Sequence, residues 1–239
     1  MKKPPPLDSH FLLRKIHSLL GVIPVGLFLC FHLFMNSKAV GEGATVVGGG
    51  TFSFKEVVES IESFHPSRAF LNAVEILFIF LPLLLHGIYG LVIWWKGKPN
   101  AYKPGYGFFR NWMYTFQRWT GILVLIFLVA HVYRMRLANG SASDLAWPPD
   151  QVFKVLHDYL QNGFGLALYI VGLVASAFHF ANGLWLVGIT WGITIGPRSQ
   201  KISTAFAVLV FLALVFLGGL ALYGFRTLPP ATHVAGMGG

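Results

Sequence analysis

Five runs of apolar residues, each about as long as a bilayer core is thick, constrain this chain more than any other feature. They cover roughly 17–36, 70–95, 119–137, 163–190 and 203–225, and about 20 apolar residues in a helix span the hydrocarbon core. The runs take up about half the chain, and the longest gaps, 37–69 and 138–162, are shorter than the ~50 residues of a small soluble domain. Charged residues make up 11% of the 239 positions, against roughly 25% in soluble domains. The expected fold is an all-α integral membrane protein, one membrane domain over 1–239 built as a five-helix bundle.

The formal charge of +9 is distributed as a topology signal and not as a nucleic-acid footprint. Lys2, Lys3, Arg14 and Lys15 precede the first run. Lys96, Lys98, Lys103, Arg110 and Arg118 lie between the second and third, and Arg198 and Lys201 between the fourth and fifth. The opposite side has Lys38, Lys55, Arg68, Arg134, Arg136, Lys154 and Arg226 over longer segments, together with most of the acids. The positive-inside rule then places the N-terminus in the cytoplasm. The first run ends without a small-residue cleavage site, so it is expected to be retained as a helix. The single cysteine, Cys30, forms no internal disulfide, and no Cys-x-x-Cys signature occurs. The glycines of 41–50 fit a flexible turn, since no Gly-Lys-Ser/Thr follows. Phe52–Phe64 is amphipathic, and Val152–Leu160 carries apolar residues at the spacing of a short interfacial helix.

Four of nine histidines sit inside apolar runs, one in each of the first four: His32, His86, His131 and His179. Ionisable side chains at membrane depth are costly and face a bundle interior or a cofactor. One alone reads as an interhelical hydrogen bond; four on consecutive helices read as ligands. Depth pairs them. At ~1.5 Å per residue, His32 lies ~23 Å along from His17 and His131 ~20 Å beyond Arg118, while His86 is ~15 Å from Lys96 and His179 ~24 Å from Gly163. His32 and His131 fall in the outer half, His86 and His179 in the inner half. Two histidines at each of two levels suit two bis-histidine haems of b type. A zinc site wants four ligands at one point, a copper site recruits Cys or Met, and a proton relay wants carboxylates.

Haem propionates need cationic or hydrogen-bonding partners. Arg14, Lys15, His17 and Ser18 stand at the inner end of the first helix; Gln117, Arg118, Trp119 and Thr120 stand at that of the third. Topology signalling and interfacial anchoring are the competing roles. Gly87, Gly90 and Gly183 are small residues that would let a macrocycle approach the backbone. His-x-x-x-Gly-Leu occurs at His86 and again at His179, and Gly21 and Gly121 precede His32 and His131 by eleven and ten residues: a weak sign of internal duplication. Glu75 is the only carboxylate within a run. Eleven residues before His86, it is expected on the same helix face and ~17 Å nearer the outer surface, where it would border a quinone or its proton path, or else serve as an interior hydrogen-bonding group.

The segment Arg14-Lys15-Ile16-His17-Ser18-Leu19-Leu20-Gly21-Val22-Ile23-Pro24-Val25-Gly26 followed by His32 resembles the first helix of dihaem cytochrome b anchor subunits of succinate:quinone and quinol:fumarate oxidoreductases. Pro82 with His86-x-x-x-Gly90 resembles their second helix. Phe109-Arg110-Asn111-Trp112-Met113, then Gln117-Arg118 and His131, resembles their third. The resemblance runs from about Arg14 to Gly224. It implies five helices, two b haems, a membrane quinone of the menaquinone kind, and two partners, a flavoprotein and an iron–sulfur protein, at the cell inner (cytoplasmic) membrane. It also implies that His86 and His179 ligate the haem proximal to the iron–sulfur subunit and His32 and His131 the distal one. Some fumarate-reducing members carry glutamate two residues before the fourth-helix ligand; Ala177 stands here, which leans toward succinate oxidation. No flavin or nucleotide motif occurs, so succinate chemistry would belong to the partners. The rival readings are a dihaem cytochrome of another dehydrogenase, a histidine-relay transporter, and a redox-inactive anchor.

Overall fold

The computed structural model describes residues 9–43, 63, 67–98, 101–138 and 149–228. Every regular element among them is helical. Five helices are long and apolar enough to cross a membrane: His10–Val40, Ala69–Lys96, Phe109–Leu137, Gly163–Thr190 and Pro197–Thr227. Several extend past the apolar runs. The third starts at Phe109 and the fifth at Pro197, because polar residues such as Arg110 and Gln200 are good helix formers that carry the backbone beyond the apolar stretch. The amphipathic stretch expected at 52–64 lies outside the described residues, apart from Ser63.

Proline shapes the first two spans. In the first, Ser9–Val22 is followed by a turn at Ile23 and a second helix, Pro24–Asn36. Pro24 has no N–H to give the preceding turn. The flanking bonds survive, with Ile23 N–H donating to Leu19 at 2.9 Å and Leu27 N–H to Ile23 at 3.3 Å, so the two helices run on as one span. In the second, the α-helix Arg68–Glu75 passes into a π-helical stretch, Ile76–Phe80, before resuming at Leu81–Lys96. Leu81 N–H reaches back five residues to the Ile76 carbonyl, one position ahead of the buried Pro82. Such a bulge is one way a spanning helix re-satisfies backbone groups that a proline frees. The fourth span ends on Gly192 with φ +72°, a left-handed stop; Ile193 N–H and Thr194 N–H both return to the Gly188 carbonyl, at 2.8 and 2.9 Å.

The contacts divide the chain into two compact units. The first comprises Met1–Leu29, Ala73–Leu125 and Ser176–Phe211. Here Lys15 Nζ donates to the Thr190 carbonyl and lies 4.7 Å from the Trp191 ring, while Trp191 Nε1 donates to Ser18 Oγ at 3.0 Å. Asn182, almost fully buried, donates to the Met113 carbonyl at 3.0 Å and to Gln117 Oε1 at 2.8 Å.

The second unit comprises Cys30–Asn72, Ile126–Ala175 and Leu212–Gly239. Its core gathers Ala39, Phe153, Leu156, Leu160, Tyr169, Ala221 and Phe225. The short helix expected around 152–160 runs from Pro149 to Gln161. Phe153, Leu156 and Leu160, spaced to share one face, are its buried side, and the exposed Lys154–Asp158 pair, 2.6 Å apart, is its wet side. Its end is tied to the fifth span: His157 Nδ1–H donates to the Phe225 carbonyl at 2.9 Å, Gln161 Nε2 to that of Arg226 at 2.9 Å, and the Arg226 guanidinium to the Leu160 carbonyl. A Cβ on Gly224 would sit 2.6 Å from the backbone of Ala39 and Val40, so only glycine lets these two backbones approach so closely.

Candidate functional site

In the first unit the second and fourth spans bring His86 and His179 together, with ring centroids 6.2 Å apart and planes at 87°. His86 Nδ1 is 2.9 Å from the carbonyl oxygen of His17, and His179 Nδ1 is 3.1 Å from that of Gln117. A carbonyl only accepts, so both Nδ1 atoms carry the proton and both Nε2 atoms keep a lone pair. That is the usual tautomer of a metal-ligating histidine with its second nitrogen held by a backbone acceptor. The Gln117 amide nitrogen donates to the His179 carbonyl at 3.0 Å and also lies 3.5 Å from its Nε2.

Two glycines seat these rings. A Cβ on Gly21 would lie 2.8 Å from His86 Nδ1, and one on Gly121 3.0 Å from His179 Cε1. Of the glycines expected beside the ligands, Gly87 meets only Leu125, Gly90 faces His17 Nε2 at 3.3 Å, and Gly183 faces Gln117 at 3.4 Å. The positions that touch the rings are those whose spacing had suggested only a repeat.

In the second unit His32 and His131 come together, with centroids 5.9 Å apart and planes at 84°. Phe127 stacks on His131 at 5.5 Å, and the Tyr169 hydroxyl lies 3.0 Å from His131 Nδ1. Sequence reasoning did not single out Tyr169, although it is the one tyrosine of the fourth span, a hydroxyl within an apolar run.

The donor sets fit a haem iron. Metal–imidazole bonds are about 2 Å, so two imidazoles facing across one metal have centroids roughly 6 Å apart. Each site offers two protein ligands, and no group of three or more His, Cys, Asp or Glu converges among the described residues. A pair suffices where a macrocycle supplies the equatorial donors.

The remaining expected residues have specific places. The His17 ring stacks on His86, 4.0 Å away and 9° from parallel. Ser18 Oγ donates to the Lys15 carbonyl at 2.8 Å while accepting from Trp191, which makes it a tie between the first span and the end of the fourth. The Arg118 guanidinium donates to the carbonyls of Trp94 and, at 2.9 Å, Gly97, closing the C-terminus of the second span. Arg118 Nε is nonetheless buried with no protein partner. Glu75, half-buried, falls in the unit that holds His86. The π-helical stretch Ile76–Phe80 stands between them. The shared face expected for the pair presumed 3.6 residues per turn throughout, and the wider π turn changes that phase.

The family model of succinate dehydrogenase/fumarate reductase transmembrane subunits matches residues 101–218. A curated relative, the succinate dehydrogenase cytochrome b558 subunit of Bacillus subtilis (strain 168), is 41% identical over 218 residues, which are 91% of this chain and 98% of the relative. No solved structure matches.

Proposed function

Because the chain belongs to the family of succinate dehydrogenase/fumarate reductase transmembrane subunits, a multi-pass membrane cytochrome, we propose that it binds two b haems and passes electrons through them from an iron–sulfur partner to a membrane quinone. The observation that carries this reading is the pair of facing histidine sets, His86 with His179 and His32 with His131.

In this reading each imidazole presents Nε2 to an iron. When bound, the haems supply one-electron redox chemistry that no side chain of the chain provides. The protein holds the rings. The carbonyls of His17 and Gln117 orient His86 and His179, Gly21 and Gly121 leave room for them, and Phe127 and Tyr169 flank His131. Arg118, with its unpartnered Nε, and His17 at the same end of the first unit would bind the propionates of the His86/His179 haem, whereas the Ser18 hydroxyl, expected to join them, donates its one proton to the Lys15 carbonyl. His86 and His179 would hold the haem that serves an iron–sulfur subunit, with a flavoprotein as the further partner. His32 and His131 would hold the haem whose one-electron chemistry serves a quinone of menaquinone type; Glu75 would border a quinone or its proton path. The distribution of the basic segments supports a cytoplasmic N-terminus, and this reading puts the complex in the cell inner membrane. Ala177 favours succinate oxidation as the working direction.

Haem extraction from the purified complex with a pyridine haemochrome assay tests the reading. About two haem b per copy of this chain is expected; one or none overturns it.

A further inference from the structure

His131 is held differently from His86 and His179. Their Nδ1 atoms meet backbone carbonyls, whereas His131 Nδ1 meets a side chain, the Tyr169 hydroxyl, at 3.0 Å. Tyr169 is 6% exposed. Its ring packs edge-on against Phe127 at 5.3 Å and against Tyr159 at 5.9 Å, and the Arg134 guanidinium lies over the Tyr159 ring, 3.7 Å from its centroid. Phe127 in turn stacks on His131 and is backed by Gly172, where a Cβ would run into the phenyl ring. The hydroxyl is therefore fixed in place by packing on several sides.

We infer that Tyr169 is a positioning residue for the His32/His131 haem, accepting a hydrogen bond from His131 Nδ1–H and thereby setting the ring's orientation and the donor strength of its Nε2. The inference rests on the proposed ligation by His32 and His131. With Nε2 on iron, a neutral imidazole must carry its proton on Nδ1, so the phenolic oxygen accepts. An acceptor at that position makes the imidazole more basic. A more basic axial ligand favours the ferric over the ferrous state and so keeps the midpoint potential low.

Tyr169→Phe retains the ring and removes the acceptor. Potentiometric titration of the purified complex, followed by visible spectra, is expected to show both haems retained and one midpoint displaced upward. The displaced component must be the one lost in a His131→Ala complex, and its ferric low-spin electron paramagnetic resonance signal should move with it. The His86/His179 component should stay at its wild-type midpoint. Two haems with an unchanged or lowered midpoint for that component overturn the inference, as does an equal shift of both. Failure of the underlying ligation is distinguishable, since wild-type complex would then contain fewer than two haems. If the Phe variant does not assemble, Tyr169→Met, a flexible apolar filler, is read by the same criteria.

Discussion

The carbonyl oxygen of His17 holds Nδ1 of His86 at 2.9 Å while the two imidazoles stack 4.0 Å apart, so one residue braces the other through both backbone and side chain. The two contributions separate by mutation. His17→Ala keeps the carbonyl and removes the stacked ring. It is expected to retain the haem of the His86/His179 pair in the purified complex, with an altered midpoint in redox titration.

Removing the space around the rings is expected to be more damaging than removing the stack. Gly21→Val and Gly121→Val place new atoms against His86 and His179. Both should lose the same haem and roughly halve the haem content of two per chain expected for bis-histidine sites. Gly219→Val is the control: nothing lies within 4 Å of its added Cβ, and haem content should be unchanged. Haem quantification alongside spectra reads all three.

The ligand pairs make a related prediction. Alanine at His32 or His131 should abolish one spectral component, and alanine at His86 or His179 the other. Loss of one component in both the His32 and the His86 variants would refute the pairing.

Glu75→Gln keeps the shape of the side chain and removes its charge. Both haems, and succinate oxidation by an artificial acceptor, should persist, while quinone reduction slows and loses part of its pH dependence. Wild-type quinone reduction at every pH would leave Glu75 as an interior hydrogen-bonding residue.

The short helix Pro149–Gln161 gives a stability prediction. Leu160 is fully buried in the cluster with Phe153 and Phe225. Leu160→Ala should destabilise the fold by about 2–5 kcal/mol, read as a lowered midpoint in thermal unfolding of the purified protein. Leu209→Ala, at a side chain 66% exposed on the fifth span, should leave it nearly unchanged.

The amino-acid sequence by itself determined the number of spans, because bilayer thickness converts directly into a run length. It also singled out the histidines that come together, because a constant rise per residue turns chain position into depth. Tertiary structure decided what that arithmetic does not contain. The π-helical stretch Ile76–Phe80 changes the phase between Glu75 and His86, since helical phase holds only while the turn stays 3.6 residues wide. Gly21, Gly121 and Tyr169 acquire their places against His86, His179 and His131 only when separate helices pack. Each of those contacts joins residues dozens of positions apart, and which side of a helix faces its neighbour is set by side-chain packing between helices, which an all-round apolar run does not specify.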